Sequence, residues 1–209
     1  MVLNIGAFKL NDELSTLGTK ERIIKVTMEI IAAEGFQNVT VRKIATRAGV
    51  NIAAVNYHYG CKDAVINEAL KTVTSKLVDA FRHLKENNLN PREKLRMFVV
   101  DYTNVLFLYP DIIKTVIDQN IHNQSMRIAE EYQEYVIREG RELIAQVMQD
   151  IWPEESMLVS NMRALQILSC MAFPVLIGDR VTDISLIDWQ DPEIREKYTE
   201  LLLNNIANR

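Results

Sequence analysis

Thr40-Val41-Arg42-Lys43-Ile44-Ala45-Thr46-Arg47-Ala48-Gly49-Val50-Asn51-Ile52-Ala53-Ala54-Val55-Asn56-Tyr57-His58-Tyr59 reads as two short helices joined by a tight turn. Ala45 is small enough to let the second helix cross close to the first, and Gly49 can take the positive φ that reverses the chain. Ile44, Val50 and Val55 are expected to fill the inner angle of the corner. Asn51 is a good cap for the second helix, which then carries short side chains and an Asn-Tyr-His tip. Such a pair offers its second helix to the major groove of duplex DNA.

The flanks extend the pattern. Lys20 to Glu34 is amphipathic, with Ile23, Val26, Ile30 and Ala33 on one stripe, Ile24 and Ile31 beside it, and Gly35 as a stop. Beyond Gly60 and Cys61, Lys62-Asp63-Ala64 opens another helix.

The block from Thr19 to about Leu70 resembles the DNA-binding domain of TetR-type transcriptional regulators. The resemblance is carried by Gly35-Phe36, Thr40-Val41, Ile44-Ala45, Ala48-Gly49-Val50, Tyr57-His58-Tyr59 and Lys62-Asp63. The sequence departs from that pattern at Asn56, where many members carry Tyr, at Tyr59 in place of Phe, and at Cys61 in place of Ser.

Length and composition fit one such domain plus a larger one. The chain has 209 residues, 48% hydrophobic, with seven Gly and five Pro and few strand-like runs, so an all-α protein is expected. The expected organisation is an arm over 1–18, a three-helix domain over 19–70 with the helix-turn-helix at 41–60, and a helical body over 71–209. Cys61 and Cys170 form no metal-ligand pattern and point to a reducing cytosol. No signal peptide is recognised at the start. The uncharged run Ala164 to Gly178 falls short of the roughly 20 residues of a membrane span. A cytoplasmic protein without a membrane partner is therefore expected.

The net charge of −4 divides unevenly. Lys20, Arg22, Lys25, Arg42, Lys43, Arg47 and Lys62 face only Glu21, Glu29 and Glu34, a head of +4 on a remainder of −8. Attraction for phosphate at one end follows from that asymmetry.

Roles within the head follow from geometry. Thr40 caps the first helix of the pair, and its hydroxyl and the free amides beside it form an anion site that Arg42 and Lys43 reinforce. Asn51, Ile52, Ala53, Ala54 and Asn56 are the exposed positions of the recognition helix. Asn56 suits a bidentate contact to adenine, and Ala53 or Ala54 a thymine methyl. Tyr57, His58 and Lys62 are assigned to backbone phosphates, as in the regulators the chain resembles. Tyr59 is read as core, while Tyr57 and Ile52 stay open between core and contact.

In the body, helices are expected over Lys62 to Leu84, from Asn90-Pro91 to Tyr109-Pro110, over Ile112 to Ile121, Ser125 to Ile151 and Glu154 to Gly178, and from Asp191-Pro192 to Ile206. The resemblance implies that this region dimerises through its last two long helices and holds a small ligand among the others. Ile167, Met171, Pro174 and Val175 on one helix and Tyr198, Leu201, Leu202 and Ile206 on the other are the candidate interface. Met97, Tyr102, Phe107, Met126, Tyr132 and Met162 are the candidate pocket.

No Glu-x-x-His pair, phosphate loop or clustered histidine asks for a metal, a cofactor or catalysis. The expected partners are a palindromic duplex operator, a second copy of the chain and an unidentified small-molecule effector. A repressor is the first reading. An activator of the same fold, or a helical binding protein or enzyme that leaves DNA alone, are the alternatives.

Overall fold

A computed structural model describes residues 17–110, 113–114, 127–178, 180–189 and 191–207. The expected arm before residue 17, most of the helix expected over 112–121, and Met126 lie outside the described residues. The described elements are helices and turns, and two compact units divide at Lys71 and Thr72.

The first unit holds helices α1 (Thr19–Glu34), α2 (Val41–Ala48) and α3 (Ile52–Tyr59), together with the start of α4 (Lys62–Ala80). On α1 the buried stripe is Ile23, Val26, Thr27, Met28, Ile30 and Ile31. Ala33, expected on that stripe, is exposed and Ile24 is half-buried. Thr27 is harmless inside because its hydroxyl donates to the Ile23 carbonyl at 2.7 Å. A short 3-10 turn, Phe36–Asn38, leads to Val39, which is fully buried.

The corner itself is built as the sequence indicates. Thr40 Oγ1 accepts from the Lys43 amide at 3.1 Å and so caps α2. Gly49 sits at φ 65°, ψ 35°, the left-handed region, and the Val50 amide reaches back to the Ala45 carbonyl at 3.0 Å. Asn51 Oδ1 accepts from the Ala54 amide at 2.6 Å to start α3. Ile44, Ala45, Ala48 and Val55 close the angle, whereas Val50 is half-buried.

The second unit contains the rest of α4, a 3-10 turn at Phe81–Lys85, and α5 (Pro91–Leu108), which starts with a reciprocal cap between Asn90 and Glu93. The long helix expected over 125–151 is α6 (Arg127–Tyr135) and α7 (Arg141–Ile151), joined by a π turn at Val136–Gly140. The Arg141 amide bonds the Val136 carbonyl, five residues back. This turn brings Gly140 against Phe81, where an added Cβ would meet the ring at 2.7 Å. Phe81, Phe98 and Tyr102 stack around that point and form the centre of the body's core.

Helix α8 (Met157–Ile177) starts three residues later than expected, since Trp152 to Glu155 forms a turn and Ser156 is the cap. After it come α9 (Arg180–Ser185), which the sequence reading did not anticipate, and α10 (Pro192–Ala207). Pro174 lies inside α8 and, lacking an amide hydrogen, leaves the carbonyl of Cys170 without its helical donor. The Tyr198 hydroxyl of α10 donates to that carbonyl at 2.9 Å. Arg163 ties the same two helices together. It grips Glu155 at 2.7 and 2.8 Å and donates to the carbonyl of Ile206 near the end of α10 at 2.8 Å.

These contacts place most of the candidate interface residues inside the subunit. Ile167, Met171, Pro174 and Val175 are buried inside the subunit, as are Leu202 and Ile206, and Tyr198 is engaged with Cys170. All but the half-buried Tyr198 pack the core of the subunit. Leu201 alone of that set points outward.

By length and composition α8 could cross a membrane, with a mean hydropathy of 1.3 over its most apolar window. The uncharged run Ala164 to Gly178 is part of this longer helix of 21 residues. Its apolar character has a specific origin. One stripe of α8 faces the body's core, and Leu158, Met162, Leu165, Phe173 and Leu176, three, four or eight residues apart, form a second stripe facing out.

Candidate nucleic-acid interface

The outward face of α3 carries Ile52, Ala53, Asn56 and Tyr57, the positions one helical turn apart that Val55 leaves free by facing inward. Tyr57 is 86% exposed and Ile52 47%, so neither is a core residue. Ala54 is half-buried and His58 exposed, its ring edge-on to Tyr57 at 5.3 Å. Asn51 is exposed, but its carbonyl oxygen already caps α3, which leaves only the amide NH2 to meet DNA.

Tyr59 has the structural role expected of it. Its hydroxyl donates to the Lys20 carbonyl at 3.1 Å, and the Lys20 ammonium lies 5.8 Å from its ring centre. Desolvation, with the nearby Glu68 carboxylate adding to it, pushes its phenol up to about 12. It therefore stays a neutral donor that fastens the end of α3 to the start of α1.

Around this face lie the cationic and capping groups. Thr40 is exposed at the start of α2, and its hydroxyl hydrogen remains available after the oxygen has accepted from Lys43. The first amides of a helix have no partner within it, so Thr40, Val41 and Arg42 present donors together. Arg42 is exposed, and Lys62 is half-buried at the first position of α4. Lys43 differs from the others, because its ammonium is 2.7 Å from Glu34 Oε2. Arg47 contacts the other oxygen of the same carboxylate at 2.5 Å. The Lys43 hydrogen bond, followed by the contact with Arg47, holds the Glu34 carboxyl below the usual carboxylate range against the opposing effect of desolvation. The sequence reading took Lys43 as a simple phosphate contact and gave Glu34 no role.

Of the residues named for a ligand pocket, the five that are described lie in different surroundings. Tyr102 and Tyr132 do meet, hydroxyl to hydroxyl. Burial raises both phenols, that of Tyr102 to about 12, so the pair is neutral. Phe107 instead stacks on Trp189, with ring centres 5.6 Å apart, and the Arg195 guanidinium lies 5.6 Å from the centre of the Phe107 ring. Met97 and Met162 point to solvent, the latter on the outer stripe of α8. Among the described residues no three His, Cys, Asp or Glu side chains gather as a metal site.

The family model described as bacterial regulatory proteins, tetR family, matches residues 23–69, which cover α1, α2, α3 and the first part of α4. Over those residues the head matches the tetR family. The tetR-type head also accounts for the curated relatives. The chain is 31% identical over 81 residues to the HTH-type transcriptional regulator BetI of Stenotrophomonas maltophilia, 38% of this chain and 41% of that one. It is 22% identical over 104 residues to the HTH-type transcriptional repressor NicS of Pseudomonas putida, 50% of this chain and 49% of that one. The chain thus spans about two fifths to half of the length of these relatives.

Solved structures extend the likeness in fold over both units. A TetR/AcrR regulator from Thermobifida fusca has a TM-score of 0.66 at 19% identity, covering 91% of this chain and 98% of its own. The ketosteroid transcriptional regulator KstR2 of Mycobacterium tuberculosis has a TM-score of 0.66 at 16% identity, covering 92% and 96%. The architecture is therefore that of tetR-type regulators, a helix-turn-helix domain followed by a helical C-terminal domain.

Proposed function

We propose that this chain is a homodimeric, cytoplasmic transcriptional repressor that a small, largely apolar effector releases from a palindromic operator. The observation that carries the reading is the α3 face of Ile52, Ala53, Asn56 and Tyr57, outward on a capped corner whose head has a charge of +4. Such a helix enters the major groove while the flanking cations and helix amides hold the backbone. NicS and the Rhodococcus jostii KstR2 are named repressors, which favours repression here.

Dimerisation is assigned to the outer stripe of α8, Leu158, Met162, Leu165, Phe173 and Leu176, with Leu201 of α10. An exposed apolar stripe of this length is what a two-fold helical interface buries. The effector acts by preferring a state whose two heads no longer match the half-sites. A hundredfold preference shifts the equilibrium by about 2.7 kcal/mol.

Duplex binding measured against salt tests the reading. Affinity for a duplex selected from genomic DNA should fall linearly in log–log form as salt rises. Lys62→Ala should weaken all sequences alike, because a phosphate contact carries no sequence information. Thr40→Ala should do the same but also loses the α2 cap, so Lys62 is the cleaner probe. Asn56→Ala should cost about 1–3 kcal/mol on the selected site and relax preference there. Equal loss on selected and random duplexes would remove Asn56 as a base reader. Absence of duplex binding at low salt would remove the regulator reading altogether.

A further inference from the structure

Glu34 sits in the last turn of α1, where the helix macrodipole disfavours a negative charge. No basic residue in that turn compensates it. Its compensation comes from α2. Lys43 takes one carboxylate oxygen at 2.7 Å and Arg47, one turn further along the same face, takes the other at 2.5 Å. The carboxylate therefore occupies two cations as a bridging phosphate would, each through a charge-assisted hydrogen bond.

The position of this clasp matters more than its strength. Lys43 belongs to the first turn of α2, and its own amide bonds the Thr40 hydroxyl that caps the helix. The clasp thus lies beside the donors that the proposed function aims at the DNA backbone. Of the seven cations of the head, two are held by one of its three carboxylates.

We propose that Glu34 is an internal competitor of DNA phosphate: it holds Lys43 and Arg47 in the free head and restrains affinity for duplexes of any sequence. This inference rests on the DNA-binding reading. It identifies a residue that tunes binding without touching DNA. Because non-specific affinity is almost wholly a matter of neutralised phosphates, removing the competitor acts most directly there. A genome offers a great excess of non-specific sites, so a head with every cation free would be drawn away from its operator.

The test is E34Q in the full chain, titrated on a random-sequence duplex at 0.1 M salt. Gln keeps the shape and one acceptor oxygen but removes the charge. Each freed cation that reaches a phosphate adds about 0.9 to the salt slope, equivalent to about eightfold in affinity at this salt. E34Q is therefore expected to bind about eightfold tighter or more. The same substitution in a K43M/R47M background should give no gain. A gain that persists there would mean simple removal of a negative charge, and would overturn the competitor role. Unchanged or weaker binding by E34Q would overturn it as well.

R47M provides a second measurement should E34Q fail to fold, since the exposed Arg47 leaves Glu34 paired with Lys43. A cation withheld from DNA can be lost at little expense, so random-duplex affinity should change less than about twofold. A loss equal to that of Lys62→Ala would contradict the proposal. If the wild-type chain bound no duplex, the regulator reading would fall. If it bound and E34Q did not tighten, only the role of Glu34 would fall.

Discussion

Leu165→Glu combined with Phe173→Glu is expected to turn the proposed dimer into a monomer at micromolar concentration while the subunit stays folded. The two side chains are 65% and 56% exposed in the subunit, so little of its core depends on them. In a two-fold interface the pair of changes removes four apolar side chains. Full burial of a Leu or Phe contributes about 1.5–3 kcal/mol, and an interface can bury only the exposed part of each, so the loss is about 4 kcal/mol or more before any cost of burying carboxylates. That is roughly a thousandfold in the dimer dissociation constant. Sedimentation equilibrium reads the mass, and thermal unfolding checks the subunit. Operator affinity should collapse with the mass, because each head then binds its half-site without the other's effective concentration.

The contrast with the interior of the same helix makes the experiment decisive. Ile167→Ala or Met171→Ala should cost about 2–5 kcal/mol of subunit stability, since both side chains are buried against the subunit's own core. If those variants dissociated the dimer with the fold intact, or the double glutamate left the mass unchanged, the outer stripe would not be the interface.

Why the sequence did not single out the outer side of α8 is a question of symmetry. An apolar helix with two stripes has no local signal saying which one meets its own chain. Leu158, Met162, Leu165, Phe173 and Leu176 repeat at helical spacing just as Ile167, Met171 and Val175 do. The choice is made at a distance, by the Pro174 gap that Tyr198 fills at the Cys170 carbonyl and by the Arg163 grip on Glu155 and Ile206. The Tyr198–Cys170 and Arg163–Ile206 pairs are 28 and 43 residues apart, beyond any periodicity.

In the head, by contrast, structure was legible because it is decided locally. Thr40, Gly49 and Asn51 fix the caps and the turn within a dozen residues, and the hydrogen bonds that the Lys43, Val50 and Ala54 amides donate at 2.6 to 3.1 Å follow directly from those residue types. What the sequence concealed there was pairing. Lys43 and Arg47 are four apart and read as free charges, but their partner Glu34 lies on another helix, nine and thirteen residues away. The same limit hid the π turn. Arg127 to Ile151 has the composition of one ordinary helix, and the extra residue in its register is explained by Phe81, which belongs to an earlier turn of the chain.

Gly140→Ala, a change that ordinarily favours a helix, is therefore expected to destabilise the body. In an exposed helix interior the substitution would gain about 1 kcal/mol. Here the new methyl would stand 2.7 Å from Phe81 Cε1 and 2.9 Å from its Cζ. The ring cannot step aside, because it is fully buried, 4.7 Å from Phe98, 5.6 Å from Tyr102 and 5.5 Å from Tyr135, measured between ring centres. Overpacking of this kind costs about 1–3 kcal/mol, and the melting temperature should fall by roughly 3–12 °C. The clash is confirmed by its relief. Phe81→Leu alone should also destabilise by leaving a void, but Gly140→Ala with Phe81→Leu should recover part of both losses. Thermal unfolding of the four proteins gives the coupling. Strict additivity, or a more stable Gly140→Ala, would show that the π turn does not exist to bring a bare backbone against Phe81.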